Sequence, residues 1–276
     1  MRFSVRHETH YRYSAPVRFA AHVLRLTPRP DSAVLNMHSL IIEPQPSVRQ
    51  DLADRYGNAV TRVEFEQPSS HLRIESRFEV ETQGPSALNG CDLPPLPWLP
   101  GVSDTLPDYL PAEDHDRSVR SFAAELASAS GSDALGFLES LNRALFSRTH
   151  RHIRPDGAAQ TPAYTLAAGK GACRDLTVLF MAACRSLGIP ARFVSGYQAQ
   201  AETPDGRRHL HSWAEVFLPG LGWRGFDPMH GLSVTDGHAA LCAAPDQAGT
   251  MPVEGGYYGD GVTSTLAYDV QVGTRP

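Results

Sequence analysis

A proline-rich passage divides this chain and limits what the chain can fold into. The passage, CDLPPLPWLPGVSDTLPDYLP, spans residues 91–111. Proline lacks a backbone N–H group and has a fixed φ angle, so such a stretch suits neither an interior strand nor a helix. At 276 residues the chain is also long enough for two hydrophobic cores. We therefore expect a surface linker over residues 91–112, with a domain on each side of it.

The residues before this linker have the pattern of β-strands. Every second residue from Phe3 to Tyr13 and from Leu72 to Val80 is less polar than its neighbours. A period of two is typical of strands with one buried face, and the turn signal YGNAV lies between the two segments. Residues 1–90 are therefore predicted to form an antiparallel β-sandwich domain.

Helical patterns follow the linker. Residues 118–129 and 134–147 are predicted helices, the second with a leucine-rich stripe. A third helix is predicted to begin at Cys173 and to end before Pro190, because apolar residues recur at steps of three and four. The later segments ARFVSGY, HLHSWAEVFLPG, GWRGF and STLAYDVQV again have strand patterns. Helices followed by strands without regular alternation indicate an α+β fold, with residues 113–276 as the second domain.

Cys173 is the first candidate for chemistry. A thiol in the first turn of a helix lies among unpaired backbone N–H groups at the positive end of the helix dipole, which favours a thiolate and can stabilise an oxyanion. Most cysteines are instead small core hydrophobes, and Cys91, Cys184 and Cys242 fit that interpretation. The spacing shows no CxxC pair, so free thiols in a reducing compartment are predicted, without a zinc or disulfide framework.

A thiolate nucleophile needs a base, and the base needs an acceptor that orients it. His211 lies on the more polar face of one predicted strand, and Asp227 ends the strand that returns from it. A connection of odd length between Leu218 and Trp223, or an equivalent bulge, would put Asp227 on the same face as His211, within reach across the strands. A four-residue connection would turn Asp227 to the other face. We therefore predict the odd connection.

The segments around these three residues resemble a known family. GKGACRD, GIPARFVSGY, HSWAEV and GWRGFDP are similar, in order and spacing, to motifs of the bacterial transglutaminase-like superfamily, a papain-like group that includes candidate cysteine proteases. The likeness continues through DGHAAL and PVEGGYYG. HETHYRYSAPVRFAAHVLRLTPRP and DRYGNAV are similar to the N-terminal β-domain of these proteins. The resemblance implies a transglutaminase-core domain whose cysteine-bearing helix packs on an antiparallel sheet.

The resemblance also implies roles for three residues. Cys173 would be the nucleophile, His211 the general base and later the general acid, and Asp227 the residue that fixes the imidazole. The thiolate would attack an amide carbonyl and form an acyl-enzyme. Water as the acceptor gives a peptidase or amidase, whereas an amine gives a protein-glutamine γ-glutamyltransferase. We predict hydrolysis of a peptide, isopeptide or small amide, with amine transfer as the alternative and no cofactor.

Four further residues are weaker candidates for the site. Trp213 is expected to cover the imidazole, to line the acyl pocket or simply to pack in the core. The Cys173 backbone N–H and a side-chain donor from Gln160 or Tyr164 would form the oxyanion hole. Arg174 would either bind an acidic substrate or cap a surface.

Two readings of other classes stay open. One is a non-catalytic binding module on the same fold. The other is a metal site, for which the sequence offers donors of the right chemistry at His209, His211, Asp227 and His230. In that reading Cys173 at a helix tip has no role, so the thiol enzyme is preferred and no metal is predicted.

Composition narrows the partners and the compartment. A net charge of −5 gives no reason to expect nucleic acid or an anionic membrane as a partner. The first residues alternate polar and apolar types rather than offering a basic stretch followed by an apolar one, so a secretory signal is not predicted. No apolar run approaches the roughly 20 residues of a membrane span. The sequence therefore predicts a cytoplasmic protein.

Overall fold

The structure, a computed structural model, describes residues 1–85, 93–99, 106–110, 116–154, 157–200 and 208–276. The strands are β1 Arg2–Phe19, β2 His22–Leu24, β3 Ala33–Glu43, β4 Val48–Ala53, β5 Ala59–Glu64, β6 Ser69–Thr82, β7 His150–Arg151, β8 Lys170–Gly171, β9 Ala191–Gln198, β10 His211–Leu218, β11 Gly222–Asp227, β12 Leu232–Ser233, β13 His238–Ala244, β14 Val253–Glu254, β15 Tyr257–Tyr258 and β16 Ser264–Arg275. The helices are α1 Arg117–Ala129, α2 Ala134–Arg148, α3 Pro162–Ala168 and α4 Cys173–Arg185. The predicted α+β class is confirmed.

The N-terminal half is a sandwich of two antiparallel sheets. One sheet has the order β15-β1-β6-β3 with β16 also paired to β1, and the other has the order β14-β2-β5-β4. The alternation of apolar and polar residues along β1 and β6 explains how the two sheets pack together. Phe3 and Val5 in β1 and Leu72 and Ile74 in β6 are buried in one apolar cluster with residues of the second sheet, whereas most residues between them are more exposed. The predicted antiparallel sandwich is therefore confirmed.

The end of the chain returns to this sandwich. β14 pairs with β2, and both β15 and β16 pair with β1. β16 runs antiparallel along β1, from Ser264 opposite Tyr13 to Arg275 opposite Arg2. The sequence predicts that all of residues 113–276 belong to the second domain, but strand pairing joins β14, β15 and β16 to the N-terminal sheets. An alternating pattern shows that a segment is a strand and does not show which sheet edge it meets.

The second half consists of a helical layer on an antiparallel sheet of order β12-β11-β10-β9-β13. α4 packs against β10 and β9, and α1, α2 and α3 surround it. The predicted apolar stripe of α4 is buried, with Leu176, Phe180 and Ala183 inaccessible to solvent. The cysteine-bearing helix thus lies on an antiparallel sheet, as the resemblance implies. No helix within the described ranges is long and apolar enough to cross a membrane.

The described part of the proline-rich passage is packed more tightly than a surface linker. Leu96 and Trp98 are buried in the same cluster as α4. The backbone N–H of Trp98 donates to the Leu187 carbonyl oxygen at 2.9 Å. Gly188 has φ +80°, and a Cβ there would collide with the Trp98 carbonyl oxygen. The expectation of a linker merely lying on the surface is therefore wrong for residues 93–99. Cys91 lies outside the described residues.

The two halves share one core. Tyr197 of β9 and Ala239, Leu241 and Cys242 of β13 belong to the apolar cluster that fills the N-terminal sandwich. The sheet of the second half is therefore covered by α4 on one part of its surface and by the sandwich on another. This arrangement brings residues of β1 and β16 close to the strand that carries His211.

Candidate active site

A buried carboxylate holds the N-terminus of α4. Asp175, the third residue of the helix, accepts a hydrogen bond from the Ala172 N–H at 2.8 Å, as the acidic member of a capping box does. Its other oxygen accepts from the Gln160 N–H at 2.8 Å and from the Arg154 guanidinium at 2.6 Å. The first turn, which begins with Cys173, is thereby fixed to the preceding segment. Asp175 is not among the predicted site residues, although it ends the motif GKGACRD and an acidic residue at this helix position is a capping signal.

A second contact ties α4 to the strand of the candidate base. Thr177 Oγ1 donates to the Cys173 carbonyl oxygen at 2.9 Å and lies 3.2 Å from Ser212 Oγ. Ser212 follows His211 directly in β10. The first turn of α4 and the start of β10 are thus joined through two hydroxyl groups.

The hairpin of β10 and β11 sets the register of the histidine and the aspartate. Leu218 pairs with Gly222, which leaves a three-residue connection. The ladder is regular from there, and extending it beyond its last pair puts Asp227 opposite Trp213, on the face of His211. The predicted odd-length connection is confirmed.

His211 and Asp227 form a buried hydrogen bond. Nε2 of the imidazole lies 2.9 Å from Oδ2 of the carboxylate, and both side chains are inaccessible to solvent. Because an ionised carboxylate only accepts hydrogen bonds, His211 Nε2 carries the proton, and Nδ1 is the nitrogen that can take a proton from a nucleophile. Asp227 therefore fixes both the tautomer and the orientation of the imidazole.

Two more histidines bind the same carboxylate oxygen. His230 Nδ1 lies 3.0 Å and His238 Nε2 3.2 Å from Asp227 Oδ2, while the Met229 N–H donates to Oδ1 at 3.0 Å. Burial alone would raise the pKa of Asp227, but the attraction of His211 and the hydrogen bonds from the three imidazoles hold that pKa well below its usual range. Burial lowers the pKa of His238, against the opposing effect of Asp227. The carboxylate is thus ionised beside a neutral His238.

A cavity of about 360 Å³ opens at this place. Cys173, Arg174 and His211 line it together. Arg174 also donates to the Arg154 carbonyl oxygen at 2.7 Å, so it helps to hold the segment before α4. The N-terminal half contributes His7, Thr9 and Tyr11 from β1 and Leu266, Tyr268 and Val270 from β16. The cavity is therefore bounded by both halves of the molecule.

Trp213 packs beside the imidazole. Its buried ring lies at 30° to that of His211, with 6.3 Å between centroids, and meets His238 edge-on at 5.1 Å. Gly196 lies opposite His211 in β9 and provides the space for the indole ring. A Cβ at this position would come within 2.7 Å of that ring. Of the predicted roles, covering the imidazole and packing in the core both agree with this position, because Trp213 also belongs to a buried apolar cluster. Trp213 is not one of the described residues around the cavity, so lining an acyl pocket does not agree.

The oxyanion-hole role predicted for Gln160 and Tyr164 stays a prediction, because it depends on where the substrate oxygen binds. The Gln160 backbone N–H binds Asp175, and its side-chain oxygen lies 3.5 Å from Thr165 Oγ1. Tyr164 is half exposed on α3. Neither belongs to the cavity lining within the described part of the chain.

Three donor atoms near the candidate base could hold a metal ion. Ligand atoms of His211, Asp227 and His230 lie within 4.8 Å of one another. Imidazole nitrogen and carboxylate oxygen are the ligand types that zinc accepts. His209, the fourth residue of the metal hypothesis, is not in this group among the residues searched, which are the described ones.

Known proteins share both halves of this architecture. Residues 3–81 match the model of the bacterial transglutaminase-like N-terminal region, and residues 120–228 match that of the transglutaminase-like superfamily. An uncharacterized Mycobacterium tuberculosis protein is 30% identical over 295 residues, covering 98% of this chain and 92% of its own. An uncharacterized Mycobacterium leprae protein is 25% identical, covering 95% of each chain.

A solved structure shows the same fold. The crystal structure of a Cytophaga hutchinsonii protein, described as a candidate cysteine protease, superposes with a TM-score of 0.71 at 16% identity. The match covers 100% of this chain and 92% of that one. The shared fold therefore includes the sandwich, the cysteine-bearing helix and the sheet beneath it.

Proposed function

Since this chain belongs to the transglutaminase-like superfamily, we propose that it is a cysteine-dependent acyl-transfer enzyme that hydrolyses an amide bond. One observation carries the proposal. A buried imidazole held by a carboxylate at 2.9 Å borders a cavity that Cys173, the first residue of a helix, also lines. Nucleophile, base and orienting acceptor are the parts that thiol acyl transfer requires.

In the first half-reaction, His211 Nδ1 takes the proton of the Cys173 thiol. The thiolate attacks the carbonyl carbon of the amide, and a C–S bond forms while the carbonyl oxygen becomes an oxyanion. N–H groups at the start of α4 and the positive end of the helix dipole favour this charge. The tetrahedral intermediate then collapses, the C–N bond breaks, and His211 gives its proton to the leaving amine.

In the second half-reaction, an acceptor attacks the thioester. With water, His211 takes a proton from the attacking molecule, the C–S bond breaks, and the carboxylic acid leaves as Cys173 regains its proton. A primary amine would follow the same path and give a new amide. Asp227 stabilises the imidazolium in both halves because its carboxylate is already ionised.

Labelling with an electrophilic amide probe and peptide mapping tests the nucleophile. We expect label on Cys173 in the wild type and none in Cys173→Ala. Cys184 and Cys242 are buried, and burial raises the pKa of both thiols, that of Cys242 to about 12. Cys184→Ala is the matched control and should be labelled like the wild type. Label on another cysteine that persists in Cys173→Ala would sink the assignment.

The same probe tests the base and its orienting residue. Asp227→Asn should slow labelling of Cys173 by about 100-fold or more, because an amide also donates hydrogen bonds and no longer dictates the imidazole tautomer. An unchanged labelling rate would remove Asp227 from the mechanism.

Product analysis separates the acceptors and the metal alternative. Hydrolysis releases the free acid without added amine, whereas ammonia release from glutamine peptides only with a primary amine would identify amine transfer. Activity that survives EDTA and is lost after iodoacetamide supports the thiol mechanism, and the reverse result would favour the donor group of His211, Asp227 and His230 as a metal site. A peptide or protein amide as substrate, no nucleic acid partner and a cytoplasmic location stay predictions.

A further inference from the structure

One wall of the cavity is a patch of β-sheet from the N-terminal half. Its six residues are directly opposed in the antiparallel ladder of β1 and β16, as the pairs His7 with Val270, Thr9 with Tyr268 and Tyr11 with Leu266. Because alternate residues of a strand share a face, all six project from one side of the sheet. We call these six residues the sheet wall.

The buried end of the sheet wall carries no charge at neutral pH. His7 and Thr9 are buried. His7 Nδ1 lies 2.6 Å from the Tyr197 hydroxyl, and Nε2 lies 3.3 Å from Thr9 Oγ1. Burial lowers the pKa of His7 to about 4, so its imidazole is neutral at pH 7. Both ring nitrogens are therefore engaged, one by Tyr197 of β9 and the other by Thr9 of the wall.

The open end of the cavity is rimmed by exposed apolar side chains. Leu266 is 51% exposed, Tyr268 46%, and Ile153 and Met251 44% each, and all four line the cavity. They come from three separate segments of the chain. Large apolar side chains left in water and gathered around one cavity are typical of a binding surface.

We infer that the sheet wall and this apolar rim bind the substrate, and that the substrate is an amide with a bulky aromatic or aliphatic side chain next to the scissile bond. The inference rests on the proposed thiol chemistry, because Cys173 and His211 line the same cavity. A cavity of about 360 Å³ is near the lower end of the roughly 300–1,000 Å³ of small-molecule sites, which suits one large side chain with its flanking backbone. An apolar side chain would bury against Leu266, Ile153 and Met251 and gain free energy in proportion to the area removed from water.

Equilibrium binding to the Cys173→Ala protein tests the inference without turnover. Calorimetry with N-acetyl-phenylalaninamide, N-acetyl-alaninamide and N-acetyl-glutaminamide should give an affinity for the phenylalanine compound about tenfold or more above the other two. Adding the substitution Leu266→Ala to the Cys173→Ala protein should weaken binding of N-acetyl-phenylalaninamide by about fivefold or more. Leu52→Ala is the matched control, since Leu52 is 50% exposed on β4 and does not belong to the described lining of the cavity.

The outcomes distinguish this inference from the proposed function. Equal affinity for the three amides, or equal weakening by Leu266→Ala and Leu52→Ala, overturns the inference. If the probe labels Cys173 while the amides show no preference, the thiol chemistry stands and the sheet wall does not select the substrate. If the preference is found but Cys173 is never labelled, the proposed function fails, and with it the assignment of the bound group as an acyl donor. The comparison of the three amides uses the Cys173→Ala protein alone. It therefore decides the inference even if the Leu266→Ala protein does not fold.

Discussion

Asp227 organises more of the candidate site than the orientation of one imidazole. Each imidazole nitrogen that meets its ionised Oδ2 must carry a proton, so the contacts with His211, His230 and His238 fix the tautomers of three rings at once. Three donors on one oxygen also explain why a fully buried carboxylate stays ionised. His230 and His238 thus contact the same carboxylate oxygen as the candidate base.

His7 makes the stability of the fold depend on pH. Its buried imidazole has a pKa of about 4 in the folded protein, against about 6.5 in an unfolded chain. Between these values the unfolded chain binds more protons, so this contribution to stability is complete above about pH 6.5 and is lost as the pH falls towards 4. The full difference corresponds to roughly 3 kcal/mol in the free energy of unfolding.

Urea unfolding at pH 7.5 and pH 4.5 measures this contribution. We expect His7→Gln to lose about 2–3 kcal/mol less stability than the wild type between the two pH values, because glutamine cannot be protonated there. Other titrating groups are common to both proteins and cancel in the comparison. Thr9→Val is the control, since it removes a hydroxyl group near the ring but keeps the titrating imidazole. An equal pH dependence in the wild type and His7→Gln would contradict the prediction.

For single helices and strands, the sequence predicts those features that depend on local periodicity and register. The apolar stripe begins α4 at Cys173, and counting residues from Leu218 to Trp223 gives the face of Asp227. The burial of Trp98 and the partner of β16 depend instead on segments far away in the sequence, so no local pattern contains them. The contact of the Gln160 backbone N–H with Asp175 likewise joins two segments of the chain, and no local pattern contains it.

α4 depends on Asp175 for the position of its first turn. The buried carboxylate joins the Ala172 N–H, the Gln160 N–H and Arg154. In Asp175→Asn the amide turns an N–H₂ group towards one of these donors, which leaves a buried polar group unsatisfied. Because Arg154 is partly exposed, we expect a cost in the free energy of unfolding of about 1–3 kcal/mol, the range for a buried polar group left unsatisfied. A small displacement of Cys173 would slow its acylation by up to about 100-fold.

Denaturant unfolding and the labelling rate of Cys173 check both effects of Asp175→Asn. Asp133→Asn is the matched control, because Asp133 caps α2 through the Gly136 N–H at an exposed position, where asparagine caps as well as aspartate does. If the two substitutions change stability and labelling equally, Asp175 has no special part in holding the cysteine.

The whole molecule behaves as one cooperative unit if the shared core governs its unfolding. The sandwich cluster contains Tyr197 and Leu241 of the second half, β16 closes the chain onto β1, and the cavity lies where the halves meet. The residue patterns predict a sandwich and an α+β core separately. These patterns do not predict that the two cores are joined. The apolar face of the sandwich and that of the second sheet each have the pattern of any buried face, which does not show what covers it.

Tryptophan fluorescence can test that cooperativity, because the three tryptophans of the chain, Trp98, Trp213 and Trp223, all lie beyond the N-terminal sandwich sequence. Leu72→Ala removes a fully buried side chain from the sandwich and should destabilise it by about 2–5 kcal/mol. In a coupled molecule the fluorescence midpoint in urea falls together with the midpoint from circular dichroism, which follows the strands of both halves. Leu52→Ala, half exposed, should leave both midpoints near those of the wild type. The opposite result is a fluorescence midpoint at the wild-type value together with an earlier transition in circular dichroism. It would mean that the halves unfold independently and that the cavity between them opens while the second core stays folded.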